Sequence, residues 1–277
     1  MAYFYTEDDV HIYYKEIGDK NGKPIIALHG WNSTHAMFDN LLSGMADYRC
    51  IALDFRGVGR SSLPTSGVSM GRLARDVEEL ILHLGLSEVT LIGYSMGASV
   101  LYKYIELFGT ARLYKTIICE MSPKLLNDGD WDQGLGQGTE KPMDNILAAE
   151  QMFDDYPAFF RDFNMKHNPA LAKLPEAVLD NMFVGMLAPN TDYVAAAFYL
   201  SFLLQDYRPM LHKIDVPTGI FFADPGSVYQ PKTAYYLEEK IPAKTKVVIF
   251  AGCTHLFGLE KPDLFLKEVR AFMAEDM

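Results

Sequence analysis

The sequence is poor in the residues that would build a metal site, a nucleic-acid interface or a membrane span. Its 277 residues include three cysteines, Cys50, Cys119 and Cys253, set far apart and each beside an apolar run. No CxxC or Cys/His cluster is present, so a zinc site is not expected. An odd number of thiols on strand-like segments predicts free, buried cysteines in a reducing compartment, hence a cytoplasmic chain. Positive charge is in deficit, with 25 Lys+Arg against 36 Asp+Glu and a net charge of −11. No basic patch stands out, which argues against nucleic acid as a partner. The longest apolar-leaning run, YVAAAFYLSFLL at 193–204, is too short to span a bilayer. The opening MAYFYTEDDV has neither a basic nor a long apolar region, so no signal peptide is expected. Internal repeats and low-complexity tracts are also missing.

What is present suits a soluble enzyme. Hydrophobic residues make up 49% and charged residues 22%, and the length fits one large α/β domain, or one domain carrying an insertion. A small-molecule substrate and a monomeric or homodimeric state follow as expectations. Residues 3–17 predict two short strands around the turn at EDD. Buried-strand runs then recur at 24–30 (PIIALHG), 49–55 (RCIALDF), 89–94 (VTLIGY), 114–120 (YKTIICE), 217–223 (PTGIFFA) and 245–250 (TKVVIF). Between them, 70–85 has apolar residues at 73, 77, 80, 81 and 84, which is helical spacing, and Gly85 is placed to cap its end. Further helices are expected from Met96 to about Phe108, around TAYYLEEK, and over KPDLFLKEVRAFM. Apolar runs alternating with helices mean βαβ units and a mostly parallel sheet covered on both faces.

The block 127–213 breaks this rhythm. It opens with a Gly-rich loop, DGDWDQGLGQG, and then offers helical patterns near 143–165, 175–187 and 192–206 with no convincing strand. The expectation is a helical cap inserted into a core made of 1–126 and 214–277, lying over the site as a lid.

In parallel sheets ligands bind beyond the carboxyl ends of the strands, so residues directly after strands matter most. GYSMG at 93–97 has the form G-x-S-x-G between a buried strand and a helix, the setting of a nucleophile elbow. Gly93 and Gly97 permit a tight turn in which backbones approach closely. Ser95 would stand above the sheet, with the Met96 N–H aimed at the same spot from a helix N-terminus. LHGW at 28–31 ends an earlier strand and offers the Trp31 N–H as a second oxyanion donor, with Asn32 next in line, while His29 reads as structural. The GVG of DFRGVGRSS (54–62) fails as a dinucleotide fingerprint at Ser62 and reads as a tight loop shaping the pocket floor, with Asp54 structural. Of seven histidines, only His255, in AGCTH, directly follows a strand and precedes the last helix, which makes it the expected general base.

LHGW, DFRGVGRSS, GYSMG and THLFGLEKP together, with the cap between the sixth and seventh strands, resemble the α/β-hydrolase superfamily over nearly the whole chain. That resemblance implies the α/β-hydrolase fold and the order serine, acid, histidine, but it leaves the substrate open. Most members carry the acid after strand seven, slightly under 30 residues before the histidine. Here that position is Gly226, and Asp224 lies two residues early with Pro225 behind it. A minority, including zearalenone-type lactonases and one subgroup of haloalkane dehalogenases, carries it after strand six. Glu120 follows Ser95 by 25 residues at the end of an apolar strand, where a lone carboxylate would be costly. Glu120 is therefore the expected acid, within hydrogen-bond reach of His255, and Asp224 the alternative.

The function so implied is cofactor-free, metal-free hydrolysis of an ester or lactone by a serine nucleophile. Dehalogenase chemistry is disfavoured because position 95 is not Asp. Carbon–carbon bond hydrolysis with the same triad, a peroxidase-like side activity and a slow-turnover ligand sensor are the alternatives. Helical spacing in the cap nominates Trp131, Phe183, Met186, Phe198 and Phe202, beside Asn32, as the lining of an apolar pocket.

Overall fold

Eight strands form one sheet in the computed structural model, which describes residues 2–168, 171–187, 191–226 and 228–276. β1 (Ala2–Tyr5) and β2 (His11–Gly18) are antiparallel. β3 (Pro24–Leu28), β4 (Arg49–Leu53), β5 (Val89–Tyr94), β6 (Leu113–Cys119), β7 (Thr218–Pro225) and β8 (Thr245–Cys253) run parallel to one another. Their order across the sheet is β1-β2-β4-β3-β5-β6-β7-β8. The chain steps outward from β3 to β4 and then crosses back to β5. The helices that follow β3 and β5 pack on opposite faces, and a crevice opens at the carboxyl ends of those two strands, as doubly wound sheets require.

Alternate side chains of each strand feed two cores. Ile26, Leu28, Leu91, Ile118 and Ile220 face one, whereas Ile25, Ala27, Ile92, Ile117 and Phe221 face the other. The second core is closed by α1 (Asp39–Ser43). The first is closed by α2 (Met70–His83) and α3 (Met96–Phe108). Burial on both faces is why these strands appear in the sequence as unbroken apolar runs. The Ser69 hydroxyl accepts from the Arg72 N–H and starts α2. Gly85, at φ 63°, ends it: its N–H donates to Leu82 O, and that of Leu86 to Ile81 O, at 3.1 and 2.9 Å. α1, at five residues, has too few turns to show a periodicity and was not expected.

The strandless block between β6 and β7 holds α4 (Pro142–Asp154), α5 (Tyr156–His167), α6 (Glu176–Leu187) and α7 (Asp192–Leu203). The single helix expected over 143–165 is thus two. The chain breaks at Asp155, whose carboxylate accepts from the Ala158 N–H and caps α5, with Pro157 in the first turn. α8 (Lys232–Lys240), α9 (Phe257–Glu260) and α10 (Pro262–Ala274) complete the covering layers. Among the described residues no helix is long and apolar enough to cross a membrane.

Two buried polar residues tie this frame together. Lys115 on β6 sends its ammonium to the carbonyls of Phe272, Met273 and Glu275, at 2.9, 3.1 and 2.7 Å, and so caps the end of α10. His29, directly after β3, bonds through Nδ1 to Gly30 O at 2.8 Å and accepts at Nε2 from the Phe55 N–H at 3.1 Å. Those roles fix a neutral ring, and complete burial pushes its pKa down to about 4. His29 is therefore a brace between the ends of β3 and β4, as the sequence suggested.

A group whose folded pKa lies below its unfolded value stabilises fully above the unfolded pKa and loses that contribution as pH falls toward the folded one. Wild-type protein should accordingly lose about 2 kcal/mol more stability between pH 7 and pH 4.5 than a His29→Gln variant does. Urea unfolding at the two pH values measures the difference, and equal losses would remove the brace assignment.

Candidate active site

The turn from β5 into α3 leaves no room for side chains at its glycines. A Cβ on Gly93 would lie 2.5 Å from the Ala98 Cα, and one on Gly97 would lie 2.0 Å from Leu28 O. Ser95 between them is held at φ 53° and ψ −121°, a strained conformation for a residue with a side chain. The neighbouring strand holds it there, because its N–H donates to Cys119 O at 2.8 Å. The Ser95 carbonyl accepts from Ala98 N at 2.8 Å and opens α3. The end of β3 backs onto the same spot, since a Cβ on Gly30 would stand 3.4 Å from that of Ser95. Trp31 follows Gly30, and Met96 is the first residue of α3. Among the described residues neither of their N–H groups donates to another protein group.

Glu120 follows β6 as Ser95 follows β5, because Tyr94 and Cys119 are paired in the sheet. Its backbone is also left-handed, at φ 47°. The side chain is fully buried. Oε2 accepts from the Ala223 N–H at 2.7 Å, and the Glu120 N–H donates to Phe221 O at 2.8 Å. Oε1 lies 3.9 Å from His255 Nδ1. This is ion-pair distance and longer than the hydrogen bond the sequence reading expected. Burial pushes the Glu120 carboxyl pKa up, while His255 and the Ala223 N–H hold it down.

The post-β7 position, Gly226, lies beside this carboxylate: a Cβ there would stand 3.7 Å from Glu120 Oε1, an ordinary contact. The glycine is set instead by its left-handed φ of 68° and by Tyr229 O, which a Cβ would meet at 2.8 Å. Asp224, the alternative acid, is exposed at the end of β7. Lys124, the nearest cation in sequence, pairs with Asp128 and Asp206 instead. The His255 loop is pinned by Tyr94, whose hydroxyl donates to His255 O at 2.6 Å and accepts from Gly258 N at 3.3 Å.

Ser95, His255, Trp31 and Asn32 line one cavity of about 330 Å³. Of the cap residues nominated from spacing, Met186 and Phe202 line it too. Trp131, Phe183 and Phe198 do not. Trp131 packs against Tyr236 and donates to Lys124 O, Phe183 packs edge-on against Phe160, and Phe198 is buried in the core. The wall that spacing missed is α5: Phe160, Phe163, Asn164 and His167 all face the cavity. Their intervals of three and four residues are one helical face, so the signal was present in the sequence. The 54–62 loop is a second correction. None of its residues lines the cavity; Gly57 sits under Val194 of α7 instead. Asp54 accepts from the His35 N–H and ring Nδ1, both at 2.7 Å, and from Arg60 N at 3.0 Å, which makes it a loop anchor.

Trp31 joins core to cap. Its ring is surrounded by Tyr156, Phe159, Phe160, Phe163, Tyr199 and Phe202, and its Nε1–H donates to Ala195 O of α7 at 2.9 Å. The three cysteines are free and buried. Among the described residues no group of three or more His, Cys, Asp or Glu side chains could hold a metal ion.

Known proteins share both the frame and the elbow-bearing stretch. The α/β hydrolase fold family profile matches residues 23–262. A non-heme haloperoxidase of Rhodococcus erythropolis is 33% identical over 266 residues, covering 92% of this chain and 93% of its own. A bifunctional esterase/perhydrolase of Acinetobacter calcoaceticus is 26% identical over 99% of both chains. Among solved structures, an esterase from Exiguobacterium antarcticum superposes with a TM-score of 0.86 at 23% identity over 99% of both chains. These relatives support hydrolase activity, and the profile over most of the length, on a sheet that ends in a Gly-x-Ser-x-Gly turn, shows that this chain belongs to the α/β hydrolase family.

Proposed function

We propose that the protein is a cofactor-free serine hydrolase that cleaves a carboxylic ester or lactone of a small, largely apolar substrate. The observation that carries this reading is the strained Ser95 at the mouth of α3, in one cavity with His255, behind which stands the buried Glu120 carboxylate. Ser95 Oγ attacks the substrate carbonyl while His255 takes its proton. The oxyanion is held by the Trp31 and Met96 N–H groups. His255 then returns the proton to the leaving alcohol, and a water activated by the same ring releases the acid. Glu120 keeps the imidazole in the required tautomer and stabilises the imidazolium that forms. Formation of that charge strengthens the attraction across 3.9 Å in a buried setting, so the pair closes as the reaction proceeds.

Residues 127–213 act as the lid of a core formed by 1–126 and 214–277. Its support is the α5 face in the cavity wall. The absence of Arg and Lys among the described lining residues favours an ester or lactone over an anionic dienoate, the substrate of carbon–carbon bond hydrolysis. Hydrogen peroxide in place of water would release a peracid from the same acyl-enzyme, a side reaction that the name of the Acinetobacter relative makes worth assaying.

Ser95→Ala should abolish hydrolysis of a simple aryl ester and leave the unfolding midpoint unchanged, and a chelator should leave wild-type turnover intact. Near-wild-type turnover in the variant would remove the nucleophile assignment. Glu120→Gln should lower kcat by about 10³–10⁴-fold, the scale of losing the acid of a serine triad. Asp224→Asn should cost less than about threefold. Steady-state kinetics of the two variants side by side separates the acids, and the reverse ranking would transfer the role to Asp224.

A further inference from the structure

Asn32 is a buried polar residue of the cavity lining that the proposed mechanism does not use. It follows Trp31, lines the cavity and is only 4% exposed. Neither its Nδ2 nor its Oδ1 makes a hydrogen bond among the described residues. The Tyr156 hydroxyl, on a residue 2% exposed, also makes none. It lies close enough to Asn32 for the amide to oppose the rise that burial imposes on the phenol. Buried amides and hydroxyls are normally paired, because leaving them unpaired costs free energy that folding does not return. A backbone requirement accounts for part of the choice: Asn32 sits at φ 54°, a region asparagine tolerates better than most residues. It does not account for a buried amide in the cavity lining with neither polar atom paired.

We propose that the Asn32 side chain is a specificity-determining residue that binds a hydroxyl group on the acyl part of the substrate, on the first or second carbon beyond the scissile carbonyl. This rests on the ester-hydrolase reading above. The position follows from the chain: Trp31 gives the oxyanion its N–H, so the atoms next to the carbonyl are those that face residue 32. The chemistry follows from the amide, which sets a donor NH₂ beside an acceptor oxygen. A hydroxyl donates to Oδ1 and accepts from Nδ2 at once, whereas an apolar acyl chain leaves both unpaired. A carboxylate would be met by the NH₂ but repelled by Oδ1, with no lysine or arginine among the described lining residues to balance its charge. Sites built to hydrogen-bond a substrate hydroxyl reject the analogue that lacks it far more strongly than apolar pockets discriminate by size.

The test uses Ser95→Ala protein, which holds esters without cleaving them, and calorimetric titration with phenyl butanoate and its 2-hydroxy and 3-hydroxy forms. One of the hydroxy esters should bind about tenfold more tightly than phenyl butanoate. Adding Asn32→Gly, which keeps the left-handed backbone and removes only the amide, should bring that ratio to within about twofold. Asn32→Ala serves as the second variant should the glycine protein fail to fold. Equal affinity of Ser95→Ala protein for all three esters would overturn the proposal. So would a hydroxyl preference that survives loss of the amide, or an equal weakening of all three. Turnover by the Ser95→Ala protein itself would instead count against the hydrolase reading, and it registers separately as product.

Discussion

A carboxylate sealed into the end of a parallel sheet is the constraint on which the site depends. Glu120 is fully removed from solvent, and a charge there is costly unless donors and an opposite charge meet it. The structure meets it from two sides. The Ala223 N–H, from the adjacent strand β7, holds one oxygen, and the His255 ring faces the other. Both partners are set by sheet register, which pairs Cys119 with Phe221 and carries β8 beside β7. Gly226, after β7, brings no carboxylate of its own to this place; its φ of 68° and the close Tyr229 carbonyl favour glycine there, and the acid comes from β6.

The ends of β3, β5 and β6 share a second property. Asn32, Ser95 and Glu120 all have positive φ, at 54°, 53° and 47°. Three non-glycine residues in the left-handed region at the carboxyl edge of one sheet represent strain of order 1–3 kcal/mol each. Such conformations persist where surrounding structure over-determines them. Here the Ser95 N–H is tied to Cys119 O and that of Glu120 to Phe221 O, while the Trp31 indole is clamped by the cap. The sheet carries the strain; Asn32 and Ser95 line the cavity as a result, and Glu120 lies buried behind it beside His255.

The sequence displayed the frame plainly and the walls poorly. The central strands β3 to β7 were legible because burial on both faces writes an apolar run, and β1, β2 and β8, less buried, through their apolar and β-branched or aromatic residues. The elbow and the His255 loop were legible because each directly follows a strand. α1 was too short to carry a period. The break between α4 and α5 was signalled by the Asp155 and Pro157 pair but hidden inside a longer apolar pattern. Phe198 was misplaced in the pocket for a physical reason: α7 is apolar on nearly every face, so spacing cannot say which face meets a ligand and which meets the core. α5 has a polar side, and its Phe160, Phe163, Asn164 and His167 face could have been chosen. The Glu120–His255 separation was beyond sequence altogether, because it depends on two loops from different strands.

In the proposed mechanism that separation closes as the imidazolium forms. A crystal structure of the covalent adduct formed with a fluorophosphonate tests it most directly, because the adduct places tetrahedral charge where the reaction does. The account predicts phosphorus on Ser95 Oγ, the phosphoryl oxygen within about 3 Å of the Trp31 and Met96 N–H groups, and His255 Nδ1 drawn to hydrogen-bond distance from Glu120 Oε1. An adduct on another residue, or a His255 ring bonded to Asp224 with Glu120 left facing Ala223 alone, would contradict it.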